Sequence, residues 1–357
     1  MKPSNRNLLI IHRAQYGYHT DVYKWCTYLR EDYNISTLSF DGKPRIYTEG
    51  VRNLYVSSKI RGRTFRGLVF IARAIITILF FKGIVIVCYF PHCNIIGLLF
   101  GRRRILLDFR TMSILPNENL RAEENRLIKK AAKTFNSISA ISEGVARQLC
   151  LGEKKVSILP LGADSVFTGE KDYHELHLLY VGTFDYRHLE QTIIGFKLAL
   201  DELPDSALVT YDIVGDGRHG ELQEYMNLVD SLELHGTVRL HGYVQHDDLD
   251  VFYERCNVGV SYVPMTEWFD YQPVTKTFEY GLSGLFTIAT KTYSNEQVIT
   301  SGNGLLIEDT ARSFADAIKQ LYFCREGISS SEIRLSMRAY SWDRIVNNYL
   351  KPILNRL

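Results

Sequence analysis

Three short stretches in the second half of the chain combine residue types that can hold an anion and a sugar ring. The richest is Pro273-Val274-Thr275-Lys276-Thr277-Phe278-Glu279-Tyr280-Gly281-Leu282-Ser283-Gly284. Lys276 and Glu279 lie three apart, so a helix starting at Thr275 or Pro273 presents both near one face. A carboxylate there can accept two ribose hydroxyls, and the lysine can meet phosphate charge. An ordinary surface ion pair has the same spacing, and both readings stand at this point. The second stretch, Tyr180-Val181-Gly182-Thr183-Phe184-Asp185-Tyr186-Arg187, reads as a strand, a glycine at its end, and a basic residue before a helix. Gly182 lets the backbone approach a ligand, the helix N-terminus favours an anion, and Arg187 could add a bidentate contact to a diphosphate. The third is Ile213-Val214-Gly215-Asp216-Gly217, where Gly215 and Gly217 suit a tight turn beside a base or ribose. It reads equally well as a plain strand-to-helix turn.

The elements that must carry these stretches alternate in kind. Strand-like runs fall at Leu8–His12, Ile35–Phe40, Ile84–Tyr89, Arg104–Asp108 and Ser137–Ile141. After a polar connection, Gly162–Glu175, they resume at Leu178–Val181, Leu208–Val214, Val238–His241, Val258–Ser261 and Phe286–Ala289. Helix-length segments lie between them, including Thr20–Glu31, Leu120–Thr134, Leu189–Leu203, Gly220–Leu232 and His246–Arg255. Such alternation predicts an α/β chain of two doubly wound, Rossmann-like domains with parallel sheets, facing a cleft where their ligands bind. The expected boundaries are 1–165 for the first domain and 176–338 for the second. A closing segment, 339–357, returns to the first domain; its amphipathic helix, Trp342–Leu350, should end at Pro352.

Bulk properties narrow the partners. The chain has 357 residues, 46% of them hydrophobic and 23% charged, which fits two globular domains and excludes a disordered or repeat protein. Its net charge of +2 hides a division. Residues 1–165 hold 26 Lys and Arg against 12 Asp and Glu, or +14, and residues 166–357 hold 16 against 28, or −12. A basic first half calls for an anionic partner, either a phosphate-bearing acceptor or an anionic membrane. Nucleic acid is not expected, because no recognition motif accompanies the charge. Cys26, Cys88, Cys93, Cys150, Cys256 and Cys324 lack metal-ligand or disulfide spacing and read as free thiols of a cytoplasmic protein. Met1 to Asn7 shows no secretory leader. The apolar region Gly67–Phe100 is broken by Arg73, Lys82, Pro91 and His92, too often for a spanning helix. It divides into a helix, Thr64–Phe81, a buried strand and a second helix. Arg61, Arg63, Arg66 and Arg73, interleaved with Phe65, Val69, Phe70 and Ile76, suit either a membrane interface or a core helix with a solvated basic edge.

Taken in order, the second-half motifs resemble the donor domain of GT-B glycosyltransferases, in particular glycosyltransferase family 4. The resemblance extends through Val238-Arg239-Leu240-His241-Gly242, the Lys276-to-Gly284 element, Gly302-Asn303-Gly304-Leu305-Leu306 and Tyr340-Ser341-Trp342. It is strong over residues 176–350 and holds only in outline before residue 165. It implies a nucleotide-diphospho-sugar donor, a glycan or lipid-linked acceptor, retention of anomeric configuration, and no metal or other cofactor. It further implies that Glu279 holds the ribose and that Arg187, with Lys276, stabilises the departing diphosphate. Gly182, Thr183, Gly215, Gly217, Tyr243, Asp270, Tyr271, Gln272, Pro273, Val274 and Thr275 would complete the donor site. Where many members carry a second glutamate near the sugar hydroxyls, this chain has Tyr271, so the sugar is not transferable by resemblance. The second basic residue that often follows the arginine is replaced by His188, Leu189 and Glu190. On the acceptor side the candidates are Gly17, Tyr18 and His19 in the first turn, where relatives place a flexible loop, with His92, Asp108 and Arg110 at later strand ends. Ser142 reads as a helix cap. A sugar-nucleotide epimerase and a catalytically silent sugar-nucleotide-binding subunit remain as alternatives. A dehydrogenase is disfavoured, because the first strand lacks a G-x-G-x-x-G turn.

Overall fold

The computed structural model describes residues 6–101, 103–152 and 156–357. Of the stretch Met1 to Asn7, for which no leader was expected, residues 1–5 lie outside the described residues. The chain divides into two units, Met1–Leu161 with Trp342–Leu357, and Gly162–Ser341.

In the first unit, short β-branched runs become the seven strands β1 (Arg6–Ile11), β2 (Tyr33–Asp41), β3 (Val51–Ser57), β4 (Ile84–Cys88), β5 (Ile105–Phe109), β6 (Ser137–Ala140) and β7 (Ser157–Ile158). They pair in parallel in the order β3-β2-β1-β4-β5-β6-β7. Among the described residues five helices lie between them: α1 (Thr20–Leu29), α2 (Arg63–Phe80), α3 (Asn94–Phe100), α4 (Glu118–Thr134) and α5 (Glu143–Gln148). β4 and β5 are buried along their whole length, as strands covered on both faces must be. Ser142 caps α5 by accepting from the Val145 amide at 3.1 Å. Strand β3 was not among the expected strands. It lies at the sheet edge with only Val51 and Val56 buried, so its polar residues blur the signal.

The C-terminal segment completes this unit. Trp342, Ile345, Val346, Leu350, Ile353 and Leu354 join Leu8, Ile10, Trp25, Ile84 and Ile86 in one apolar core. Pro352 does not end the helix, contrary to expectation. A π-helical turn at Val346–Leu350 separates two α-helical pieces, Trp342–Ile345 and Lys351–Asn355. Pro352 falls in the first turn of the second piece, where its missing N–H is tolerated and its fixed φ suits the helix.

The second unit repeats the plan with β8 (Leu176–Val181), β9 (Val209–Val214), β10 (Val238–Leu240), β11 (Val258–Ser261), β12 (Phe286–Thr290) and β13 (Gly304–Ile307). The sheet is parallel in the order β10-β9-β8-β11-β12-β13. Its helices are α6 (Glu190–Glu202), α7 (Glu221–Ser231), α8 (Asp250–Arg255), α9 (Glu267–Asp270), α10 (Thr275–Leu282), α11 (Tyr293–Glu296), α12 (Ala311–Cys324) and α13 (Ser330–Met337). The stretch expected as one helix over 246–255 is a 3₁₀ turn, His246–Asp248, followed by α8. The Gly302–Leu306 stretch leads directly into β13. The strand order reverses between β8 and β11, and the chain segments leaving those two strands emerge side by side.

Candidate functional site

Helix α10 carries Lys276 and Glu279. Their ion pair is not a solvated one, since the two side chains are only 21% and 11% exposed. Lys276 Nζ donates to Glu279 Oε2, and the Tyr253 hydroxyl donates to the same oxygen at 3.2 Å. Burial and the facing carboxylate push the Tyr253 hydroxyl well above the usual phenol range, which keeps it a donor. Oε1 of Glu279 accepts no hydrogen bond from the described residues. One oxygen is thus fixed and the other is available to a ligand.

The neighbouring side chain, Tyr280, anchors the helix to the sheet. Its hydroxyl accepts from the Val181 amide at 2.8 Å. Its ring lies against Gly259, where an added Cβ would come within 2.3 Å of the ring's Cγ. Thr277 bonds to Ser261 at 2.6 Å and to Asn295 at 3.1 Å, and all three are buried. These contacts set the rotation of α10 and hence the direction in which Glu279 points. Val274, at the helix entry, offers no side-chain cap, which leaves the first amides of α10 without a side-chain acceptor. Gly281 lies inside the helix against Met337, and it is Gly284, at φ +78°, that follows the helix end.

Arg187 sits in the turn between β8 and α6. Both neighbours, Tyr186 (φ 58°) and His188 (φ 55°), are left-handed, an uncommon conformation for residues with a Cβ. The guanidinium lies 4.6 Å from the centre of the Phe269 ring on α9, within cation–π range. No carboxylate among the described residues pairs with it. The contact joins the segment leaving β8 to the segment leaving β11.

Three strand-end glycines are stitched together on the other side of β8. The Gly182 amide donates to Val214 O at 3.0 Å, and the Gly215 amide donates to Gly242 O at 2.8 Å. Gly215 has φ +149°, and a Cβ there would fall 1.8 Å from Gly182 O, so only glycine fits. Beside them opens a cavity of about 380 Å³ lined by Gly182, Thr183, Gly215, Gly217 and Tyr243 among others. Arg187, Lys276, Glu279 and the residues 270–275 do not line it. Asp185 and Arg218, not singled out from sequence, close one wall. The Arg218 guanidinium donates to Asp185 at 2.8 Å and its amide donates at 3.0 Å, tying the first turn to the second. Their signal was present, a charge in each of two glycine turns, but the pairing spans 33 residues.

The segment before α10 is partly committed to structure. Asp270 accepts from the Tyr293 amide at 2.7 Å, and Tyr271 packs on the Tyr293 ring at 5.1 Å. Gln272, Pro273, Val274 and Thr275 are half-buried.

On the acceptor side, sequence candidates separate into two groups. His19, Asp108 and Arg110 meet in one cluster. Arg110 donates to Asp21 at 2.7 Å and to Leu159 O at 2.8 Å, and its Nε lies 3.9 Å from Asp108. Asp108 is fully buried and accepts from Ser139 at 2.6 Å, and burial raises its carboxyl to about 6. His19 lies 3.8 Å from Asp21 and edge-on to His12, and burial lowers both imidazoles, His12 to about 3. Gly17 and Tyr18 occupy the first turn, with Gly17 at φ +91° facing Ile46. Gln15 ties this turn down, accepting from the amides of Gly42 and Lys43 at 2.7 and 2.6 Å, where a flexible loop was expected. His92 stands apart, exposed and left-handed at φ 69°.

Among the described residues no cluster of three or more His, Cys, Asp or Glu could hold a metal. No helix among them is long and apolar enough to cross a membrane. All six cysteines are free thiols.

Comparison with known proteins agrees with this architecture. Residues 164–341 match the family of glycosyl transferases group 1. No protein in the curated set matches the chain by sequence. Among solved structures, sucrose-phosphate synthase from Thermosynechococcus elongatus aligns with a TM-score of 0.77 at 16% identity, covering 99% of both chains. HepE of Anabaena, in complex with UDP and glucose, aligns at 0.75 and 14% identity, over 99% of this chain and 100% of the other. A glycosyltransferase from Rickettsia africae aligns at 0.70 and 14%, over 99% and 97%. The fold and the sequence of the second unit together make the chain a GT-B glycosyltransferase of the group 1 type.

Proposed function

We propose that the chain transfers a sugar from a nucleoside-diphospho-sugar to a hydroxyl of a glycan or lipid-linked acceptor, with retention of configuration and no metal in the transfer step. The observation that carries the donor half of this reading is the Glu279 carboxylate. A buried carboxylate with one oxygen held by Lys276 and Tyr253 and the other unoccupied is built to accept ribose hydroxyls. The base would then lie in the cavity at Gly182, Gly215 and Tyr243. The diphosphate would meet Arg187, the remaining donors of Lys276 and the uncapped amides of α10. Leaving-group charge is stabilised by such preorganised donors as the glycosidic bond breaks. HepE, solved with UDP and with UDP-glucose, supports a uridine donor.

The enzyme would act in the cytoplasm at the inner face of the membrane. That part of the reading draws on helix α2, where Phe65, Leu68, Ile76, Leu79 and Phe80 are exposed beside Arg61, Arg63 and Arg73. Sedimentation with anionic vesicles tests it, with binding at low salt that is lost at high salt as the expected result. A thermal-shift screen of UDP, ADP, GDP and their sugars tests the donor assignment. Stabilisation by at least one nucleoside diphosphate is expected, and none at all would remove the whole reading. Product analysis then separates transfer from epimerisation, which needs no acceptor.

A further inference from the structure

The first unit contains a cavity that the donor reading does not use. It has a volume of about 470 Å³ and lies between α2, the end of β1 and the turn after β4. Leu68, Phe70, Ile71, Phe90 and Ile95 give it apolar walls, while Arg13 and Arg63 are its charged members. Leu68 and Ile95 are also exposed, so the apolar wall continues onto the protein surface.

The charges at this cavity are uncompensated. Arg13 and Arg66 both face the Phe40 ring, at 5.3 and 5.7 Å, and Arg63 lies one turn from Arg66 on α2. None of the three pairs with a carboxylate among the described residues. Arg13 is half-buried, and burial together with the charges of Arg63 and Arg66 lowers its hold on its proton. Like charges gathered at an apolar cavity repel one another until an anion arrives. A sugar acceptor made only of hydroxyls would satisfy neither the arginines nor the apolar walls. An anionic phosphate on a hydrocarbon chain satisfies both.

We infer that this cavity takes a lipid-linked acceptor by its junction, with the phosphate on Arg13 and Arg63 and the first isoprenoid or alkyl units against Leu68, Phe70, Ile71 and Phe90. Calling the ligand an acceptor rests on the proposed transfer reaction; the cavity's preference for an amphiphilic phosphate does not. At Gly67 an added Cβ meets nothing within 4 Å, and this glycine lines the cavity. Gly67→Leu therefore fills the cavity without disturbing the core, and it removes a glycine from a helix interior.

The test is calorimetric titration of the whole chain with farnesyl diphosphate, inorganic diphosphate, farnesol and dihexanoyl phosphatidylglycerol, all in saturating UDP to block the donor site. Farnesyl diphosphate should bind at least tenfold more tightly than each of the other three. Arg63→Gln should weaken it at least fivefold, and Gly67→Leu should reduce it to the affinity of inorganic diphosphate. UDP affinity should be unchanged in both variants, and their far-UV circular dichroism and urea unfolding should match those of the wild-type chain, which shows that the first unit carrying α2 still folds. Equal binding of inorganic and farnesyl diphosphate would overturn the inference, as would equal binding of the phosphatidylglycerol or indifference to both substitutions. Failure of UDP to bind the wild-type chain, with farnesyl diphosphate binding intact, would sink the donor reading and leave the cavity's ligand class standing.

Discussion

Replacing Glu279 by alanine separates what the carboxylate does for the helix from what it does for a donor. In the folded chain the substitution strands Lys276 and leaves the Tyr253 hydroxyl without its acceptor. Two partners lost at a largely buried position should cost about 1–3 kcal/mol of stability. For a unit of this size that corresponds to a fall in Tm of roughly 2–4 °C per kcal/mol. On the donor side, two hydroxyl-to-carboxylate hydrogen bonds are worth about 1.5–3 kcal/mol each, so even the low end gives about 3 kcal/mol. At 1.4 kcal/mol per decade this is a loss of about 100-fold in nucleoside diphosphate affinity. Glu279→Gln keeps an acceptor for Tyr253 and nearly the same volume, so it should melt closer to wild type yet still bind at least ~10-fold more weakly. Calorimetric titration of each variant with the diphosphate selected in the thermal screen provides the measurement. Affinity within threefold of wild type in both variants, with the melting point of the alanine form lowered, would show that Glu279 is only an internal brace.

Further outcomes can be checked on the same protein. Arg187→Ala should cost only about 0.5–1 kcal/mol of stability, from the lost cation–π contact with Phe269, yet lower turnover by about 10²–10³ through loss of one charge-stabilising donor, read as kcat in a donor-turnover assay. Gly259→Ala forces a methyl group into the Tyr280 ring and should cost about 1–3 kcal/mol, seen as a lower urea midpoint. Asp108 is held at about 6 by burial, whereas an unfolded aspartate titrates near 3.9. The folded state therefore binds the extra proton between those values, and its stability falls as pH rises from about 4 to 6, by about 3 kcal/mol. Asp108→Asn should flatten that slope in urea titrations run across this window. A slope unchanged by the substitution would assign it to other groups.

Residue spacing carried the donor elements far because their parts are local. A strand, a glycine at its end and a charge before the next helix can be read within ten residues, and Ser142 could be named a cap from its neighbours alone. Lys276 and Glu279 were visible as a pair, but Tyr253, which fixes the same carboxylate oxygen, comes from another helix. Asp185 with Arg218, and the Asp21–Arg110–Asp108 cluster, are likewise made by the sheet rather than by sequence proximity. Strand β3 escaped notice because an edge strand need not show a buried run. Pro352 misled because its usual effect applies to a helix interior, and the π-turn before it creates a new first turn.

The order in which the chain is made gives the C-terminal segment a further meaning. Trp342, Val346 and Leu350 fill the core around Trp25 and Ile86, yet they are translated after the entire second unit. A nascent chain therefore holds β1 to β7 with one side of their core open while residues 162–341 emerge and close on themselves. The unit that begins first is the one that finishes last. A chain ending before residue 342 would keep every strand of both sheets yet lack the tryptophan and aliphatic residues that close the first unit's core.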